Sequence, residues 1–407
     1  MKKVLILTSA GGGGHISVSN ALTTYLNNTY EVKEVLVFKR ILNSLDPLIH
    51  VVFRFIDGEN IYNFFIRKKW YPLANLLYST GAFYFTLRSR KIRKVLERYF
   101  AQEKPDLVIS VIPIINHDIA LATKKLAIPF LIIPTDLDAT TFLYRISKPT
   151  YSHFKIALAF DDDDIRNIVE KNGILPEQIA ITGFPLRTDF FKDKNKQQIY
   201  MQFAIPDDKP VILLLMGTQG SNDMYRFVKE LRNLSTEAHL ICCVGKNERI
   251  GDLIKGINLP ENISVSVIGF TDQISDLMEI ADLIITKSGS VSVCETLYMN
   301  KPHLLDATSS VLRWEKFNHY FTKKNGFGGI LSGKAPILKQ VEAVLSNKKL
   351  LTIFRNNLLA YEKKHPLETI RNLVAHMLLT NVPKDQKENI AVESYRQLSI
   401  STLSKRQ

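Results

Sequence analysis

The chain predicts two doubly wound α/β domains facing one another across a cleft, and three observations carry that reading. Apolar runs of strand length alternate with helix-period segments through both halves, the pattern of parallel sheets covered on both faces. Runs in each half end in turns of small residues that open a helix: Gly11-Gly12-Gly13-Gly14 in the first, Gly217-Thr218-Gln219-Gly220-Ser221 and Ser288-Gly289-Ser290 in the second. The length of 407 residues accommodates two domains, each with its own core.

In the first half, Val4 to Leu7 reads as a buried strand, and Ser17 to Leu26 as a helix with Val18, Leu22 and Leu26 on one side. Consecutive glycines between them suit a sharp turn or a close approach of main chain to ligand. A strand ending at the opening of a helix offers free N–H groups and a positive dipole end to negative charge. The spacing is neither the dinucleotide fingerprint nor the P-loop. His15 stands at the mouth of the turn, a candidate general base with an ordinary pKa of about 6.5; the alternative is a tight turn with a surface histidine.

Glu31 to Phe38 reads as the second strand, and an aromatic and basic region over 45–100 as helical and longer than a simple crossover. LVISVIPI, a helix over 116–127 and the strand PFLIIPTD follow, ended by Asp136 and Asp138. In open α/β sheets ligands collect at the carboxyl ends of strands, where the glycine turn also lies. Asp161-Asp162-Asp163-Asp164 sits between KIALAF and IRNIVEKNG, so its carboxylates read as caps of a helix rather than as metal ligands. Gly183-Phe184-Pro185 follows the strand QIAIT, and the polar run at 192–198 reads as a linker between domains at 1–190 and 210–350.

The second half repeats the pattern through PVILLLMG, HLICCVG, ISVSVIGF, DLIITKSGS and KPHLLD. Its sharpest stretch is 282–295, DLIITKSGSVSVCE, in which the hydroxyls of Ser290 and Ser292 join helix N–H groups around a diphosphate. Glu295, one to two turns into that helix, is placed to accept two hydrogen bonds from a ribose diol. The alternative for Glu295 is a surface helix glutamate. Gly269 and Phe270, ending the preceding strand, are placed to hold a base through main-chain groups. Residues 351–379 read as helical and 381–407 as a loose polar tail.

Composition excludes several classes. With 45% hydrophobic and 23% charged residues the chain is neither disordered nor membrane-spanning, since no run reaches the roughly 18 apolar residues of a spanning helix. No signal-peptide pattern opens it, so a cytoplasmic location is expected. Three cysteines, Cys242, Cys243 and Cys294, form no disulfide framework or metal-ligand spacing and read as apolar filler. The net charge of +13 is concentrated at 54–104, which holds eleven Lys and Arg against four Asp and Glu. The aromatics among them, including Phe64, Phe65, Trp70 and Tyr71 beside Arg67, Lys68 and Lys69, suit rings at headgroup depth with cations on phosphates. The alternative is an amphipathic helix pair packed on the domain with basic outer faces. Nucleic-acid binding accounts for the charge but leaves the helix-terminus sites unused.

LTSAGGGGH at 7–15, ISVIPIINHD at 109–118, PTDL at 134–137, ITGFPLR at 181–187, LLLMGTQG at 213–220, VIGFTDQISDLMEIADLIITKSGS at 267–290 and Glu295 together resemble one family. It is the group of GT-B glycosyltransferases that includes the monogalactosyldiacylglycerol synthases and the processive diacylglycerol glucosyltransferases, with the peptidoglycan GlcNAc transferase more distant. The resemblance implies two Rossmann-like domains and helices returning to the first at 351–380. It implies a UDP-hexose donor, a diacylglycerol acceptor, inversion at the anomeric carbon, no required metal or cofactor, and peripheral attachment to an anionic membrane. Position by position, it makes His15 the base and Asp136 a catalytic-site aspartate that orients or helps it. Gly13 and Gly14 fall near the reacting sugar and diphosphate; Gly217, Ser290 and Ser292 in the diphosphate cradle, which Gly289 lets a ligand approach closely; Glu295 on the ribose; and Glu315 and Asn318 on the hexose hydroxyls.

Two departures bear on the donor. Gly289-Ser290-Val291-Ser292 replaces a Gly-Pro-Gly-Thr-like turn, and Leu312-Arg313-Trp314 replaces a Pro-Gly-Gln, so the sugar is left open. A polyprenyl-linked acceptor, or a non-catalytic sensor of UDP-sugar or lipid, are the other readings. The intact His15, Asp136 and Glu295 count against the sensor.

Overall fold

The computed structural model describes residues 1–45, 58–147, 151, 153–217 and 221–380. The apolar residues Phe53, Phe55 and Ile56 of the basic region, Thr218-Gln219-Gly220 and the polar tail at 381–407 lie outside them.

Two six-stranded parallel sheets form the framework. The first carries β1 (Lys3–Thr8), α1 (Gly14–Leu26), β2 (Glu31–Leu36), α2 (Val37–Arg40), α3 (Gly58–Arg67), α4 (Tyr71–Glu103), β3 (Leu107–Ser110), α5 (Asn116–Lys125), β4 (Phe130–Ile132), β5 (Phe154–Leu158), α6 (Asp163–Glu170) and β6 (Ile179–Ile181), with strand order β2-β1-β3-β4-β5-β6. After α7 (Lys196–Gln202), the second carries β7 (Val211–Leu215), α8 (Asp223–Leu231), β8 (Ala238–Gly245), α9 (Glu248–Lys255), β9 (Ile263–Gly269), α10 (Ile274–Ile280), β10 (Leu283–Lys287), α11 (Ser290–Tyr298), β11 (His303–Ala307), α12 (Glu315–Lys324) and β12 (Gly328–Ser332), in the order β12-β11-β10-β7-β8-β9. The strands read as continuous apolar runs because both faces are covered: Val4 to Leu7 and Val211 to Leu214 are fully buried.

Strand order reverses at β1 in one sheet and at β7 in the other. Such switch points open a crevice beyond the strand ends. The glycine turn after β1 and Gly217 after β7 occupy those two places, and the pairing of Leu215 with Thr286 sets Gly217 beside the Ser288-Gly289-Ser290 turn.

One local expectation is corrected, and two segments show more detail than their sequence does. β2 stops at Leu36 and its last residues turn helical. The linker is partly ordered: Asn195 caps α7, Ile199 is buried, and Lys194 pairs with Asp276 of α10. The terminal helical run is broken before Pro366, so that α13 (Ile337–Leu345) and α14 (Lys348–Ala360) are followed by a separate α15 (Pro366–Thr380). That last helix returns to the first domain, where Ile370, Val374 and Met377 join its core and Arg371 Nε donates to the Tyr25 carbonyl at 2.6 Å. Asp162 caps α6 as read, accepting from the Asp164 amide at 2.9 Å. The three cysteines are buried, and burial raises the Cys243 thiol to about 12.

Candidate active site

β1, β3 and β4 run side by side and deliver three groups to the same sheet end. His15 lies in the first turn of α1, and its Nδ1 is 2.8 Å from the Val111 carbonyl, just past β3. A carbonyl only accepts, so Nδ1 carries the hydrogen and Nε2 keeps the lone pair. Thr135 Oγ1, past β4, lies 2.9 Å from the same Nδ1. Burial pushes the imidazole down to about 4, against the opposing pull of the Val111 bond, so His15 is neutral at physiological pH.

The glycine turn differs from the sequence reading. Gly12 has φ +77°, which only glycine tolerates well. Its neighbours' N–H groups are already used, however. The Ala10 amide donates to Glu59 Oε1 at 2.8 Å, the Gly11 amide to Ser9 Oγ at 3.0 Å and the Gly12 amide to Asn63 Oδ1 at 2.8 Å. Only the end at Gly13 and Gly14, where no side chain caps α1, is left for a ligand. Space around Gly13 is open, whereas a Cβ on Gly14 would lie 3.3 Å from Val291 of the second domain. The turn therefore meets the head of α11 across the cleft.

Ser290 and Asn318 are placed otherwise than expected. Ser290 is buried, and its hydroxyl donates to Asp136 Oδ1 at 3.0 Å while Asn318 Nδ2 donates to it at 3.0 Å. Asn318 Nδ2 also donates to the Ser288 carbonyl at 2.6 Å. Both side chains thus brace the domain junction, while Asn318 Oδ1 is buried with no hydrogen-bond partner among the described residues. Ser292 stays half-buried in the first turn of α11.

Asp136, Glu295 and Glu315 are each pushed up to about 7, in every case chiefly by burial. The Ser290 bond opposes the shift at Asp136, the Arg187 charge at Glu295, and the Leu312 amide and then Lys287 at Glu315. Glu315 Oε2 accepts from that Leu312 amide at 3.3 Å. The Glu295 side chain makes no hydrogen bond among the described residues, which leaves its oxygens open to a diol. Gly269 and Phe270 form an exposed lip at the edge strand β9, with Lys246 Nζ 5.2 Å from the Phe270 ring centre.

Two cations of the site were not legible as such. Lys287 ends β10, 3.8 Å from where a Cβ on Gly217 would sit, and Gly217 has φ +85°. Lys69 pairs with Asp223, at the head of α8 in the second domain. Burial lowers Lys69 to about 8, with Asp306 opposing and Lys287 and Arg226 adding to the fall. Lys69 is thus tied to the second domain across the cleft. Tyr71 is likewise buried, packed with Ala74 and Leu312, and Phe65 lines the same cluster with Trp314. Phe64, Arg67, Lys68 and Trp70 are exposed, the Phe64 and Trp70 rings 5.8 Å apart.

Residues 211–311 match the glycosyltransferase family 28 C-terminal domain. A processive diacylglycerol beta-glucosyltransferase of Bacillus pumilus is 25% identical over 93% of this chain and 97% of its own, and that of Bacillus subtilis 24% identical over 88% and 90%. Among solved structures, MurG of Acinetobacter baumannii superposes with a TM-score of 0.63 at 18% identity, covering 92% of this chain and all of its own, 100%. A Staphylococcus aureus MnaA structure with UDP superposes at 0.54 and 15% identity, over 92% and 95%. The two sheets with their facing turns have the GT-B glycosyltransferase fold, and over most of its length the chain is similar to the processive diacylglycerol glucosyltransferases.

Proposed function

We propose that the protein transfers a hexose from a UDP-sugar to diacylglycerol at a membrane surface, inverting the anomeric carbon in one displacement. The observation that carries the chemistry is His15, held as the Nδ1–H tautomer by the Val111 carbonyl at 2.8 Å on a turn that abuts the head of α11. Nε2 takes the acceptor's hydroxyl proton, the acceptor oxygen bonds to the anomeric carbon, and the bond from that carbon to the diphosphate oxygen breaks. UDP leaves with the electron pair. General-base help of this kind is worth roughly 10²–10⁴-fold.

The departing charge falls to Lys287, Lys69 and Arg226, with the backbone around Gly217 and Gly289 and the N-terminus of α11. Such fixed charges and dipoles contribute several kcal/mol where charge develops. This set takes on the neutralisation that a metal ion supplies in other transferases, and activity is expected to persist in chelator. Glu295 accepts from the ribose diol, and Glu315 faces the hexose. Asp136, shared with Ser290, holds the two domains at a working distance.

Attachment follows from α3 and α4. Exposed Leu73, Leu76, Phe83 and Leu87 recur at helical spacing along α4, and exposed Arg88, Arg90, Lys91 and Lys94 follow. An apolar stripe beside a basic one suits the interface of an anionic bilayer. Among the described residues no helix is long and apolar enough to cross a membrane. The deciding experiment is UDP release and glycolipid mass spectrometry with diacylglycerol liposomes and UDP-glucose, UDP-galactose or UDP-GlcNAc. Diacylglycerol-dependent product names the donor, and no turnover with any of them overturns the reading.

A further inference from the structure

The glycine turn is not shaped by its own backbone. Four consecutive glycines have the widest conformational freedom a chain can have, yet three successive amides of the turn are fixed by one short helix and the serine it holds. Glu59 and Asn63 are four residues apart on α3 and so share a face. Glu59 is buried, and its Oε1 accepts from Ser9 Oγ at 2.5 Å and from the Ala10 amide at 2.8 Å. Ser9 Oγ in turn accepts from the Gly11 amide at 3.0 Å. Asn63 closes the set from both ends: its Oδ1 accepts from the Gly12 amide at 2.8 Å and its Nδ2 donates to the Ala10 carbonyl at 2.9 Å.

We propose that Glu59 and Asn63 are positioning residues, which set the shape of the glycine turn and thereby the place of His15. The turn leads directly into α1, and His15 is the second residue of that helix, so a change in the path of residues 10–13 moves the imidazole relative to Val111 and to the head of α11. The same helix α3 presents Phe64 and Arg67 outward and carries Tyr62, Phe65 and Ile66 into the cluster around Leu312. One element thus touches solvent, the turn and the loop around Leu312.

Backbone hydrogen bonds to a buried side chain slow amide exchange, and loss of geometry by about 1 Å at a reacting group costs on the order of 10²-fold in rate. Glu59→Ala and Asn63→Ala are expected to speed exchange of the Ala10 to Gly12 amides and to lower kcat about 10–100-fold, with KM for the UDP-sugar changed less than about threefold. Glu59→Gln, whose amide oxygen still accepts from Ser9 and Ala10, is expected to restore most of both. Cosedimentation with anionic vesicles is expected to match the unsubstituted protein.

The kinetic arm rests on the transferase reading, and the exchange arm needs no substrate, so the two fail separately. If the unsubstituted protein glycosylates nothing, the transferase reading falls and the exchange arm still decides. Unchanged exchange at residues 10–12 in both alanine variants overturns the proposal. So does a Gln variant as impaired as Ala, a KM effect without a kcat effect, or loss of vesicle binding, each of which points to a structural role of α3 as a whole.

Discussion

Ser290, at the head of α11 in the second domain, donates its hydroxyl hydrogen to Asp136 of the first at 3.0 Å. The bond favours the charged carboxylate, yet burial prevails and Asp136 is raised from 3.8 to about 7. An acid with a raised pKa holds its proton better folded than unfolded. Its contribution to stability is therefore fully present below the unfolded value near 4 and is lost as pH rises through 7. Asp136→Asn does not titrate, so its stability relative to the unsubstituted protein should improve between pH 5 and 8, by on the order of 1–3 kcal/mol. Thermal melts across that range test it, and a constant difference contradicts the assignment.

Glu295 has the same direction of shift and a different consequence. Hydrogen bonds from a ribose diol favour the ionised carboxylate, whose pKa in the empty site is about 7. UDP affinity should then rise from pH 6 to 8 with release of a proton. Glu295→Gln should weaken binding about tenfold at pH 8 and remove its share of the pH dependence, since the charge-assisted bonds are worth roughly 1.5–3 kcal/mol. Calorimetry in buffers of different ionisation enthalpy reads the proton directly. An unaltered pH slope in the Gln variant would exclude Glu295 as the ribose ligand.

Lys69 distinguishes a cleft cation from a membrane cation. Its pairing with Asp223 spans the domains, so Lys69→Ala is expected to raise KM for the UDP-sugar about tenfold with vesicle cosedimentation unchanged. A variant that loses vesicle binding and keeps its KM would return Lys69 to the membrane face.

The exposed stripe on α4 should behave oppositely. Leu76 is 59% exposed, Phe83 63% and Leu87 68%, and inserting each ring or branched chain in lipid is worth about 1.5–3 kcal/mol. Leu76→Ser with Phe83→Ser should cut partition onto anionic vesicles at least about tenfold and leave UDP affinity unchanged. Equal partition of this double variant would show that α4 does not face the bilayer.

These contrasts mark the limit of the linear pattern. The buried strands, the three turns and Glu295 are local: an apolar run, a cluster of small residues and a helix start are each read within a dozen residues. The contacts of Lys69, Tyr71 and Ser290 are not legible in the sequence because their partners, Asp223, Leu312 and Asp136, lie across a domain boundary. Periodicity says that a helix has an apolar face, but not whether lipid or another domain covers it. Glu59 and Asn63 gave no signal at all, since an acid and an amide on an aromatic helix look like ordinary solvated residues. The composition of the glycine turn identifies its freedom, and only the fold shows that its amides are already engaged.

His15 supplies the last prediction. Burial lowers its pKa from 6.5 to about 4; a base with a lowered pKa stabilises the fold above its unfolded value and loses that contribution as pH falls through 4. In the empty enzyme Nε2 is therefore available at neutral pH but weakly basic. The bound diphosphate brings negative charge into the same cleft, which favours imidazolium and raises the pKa toward the operating pH. Since kcat/KM reports the free enzyme and kcat the complex, the acid limb of kcat should lie at higher pH than that of kcat/KM. Thr135→Val, which removes the second partner of Nδ1, should lower kcat less than about tenfold, whereas His15→Ala should abolish transfer with UDP affinity within about threefold. Turnover that survives in His15→Ala, or an acid limb in kcat at or below that in kcat/KM, would remove His15 from the role of base.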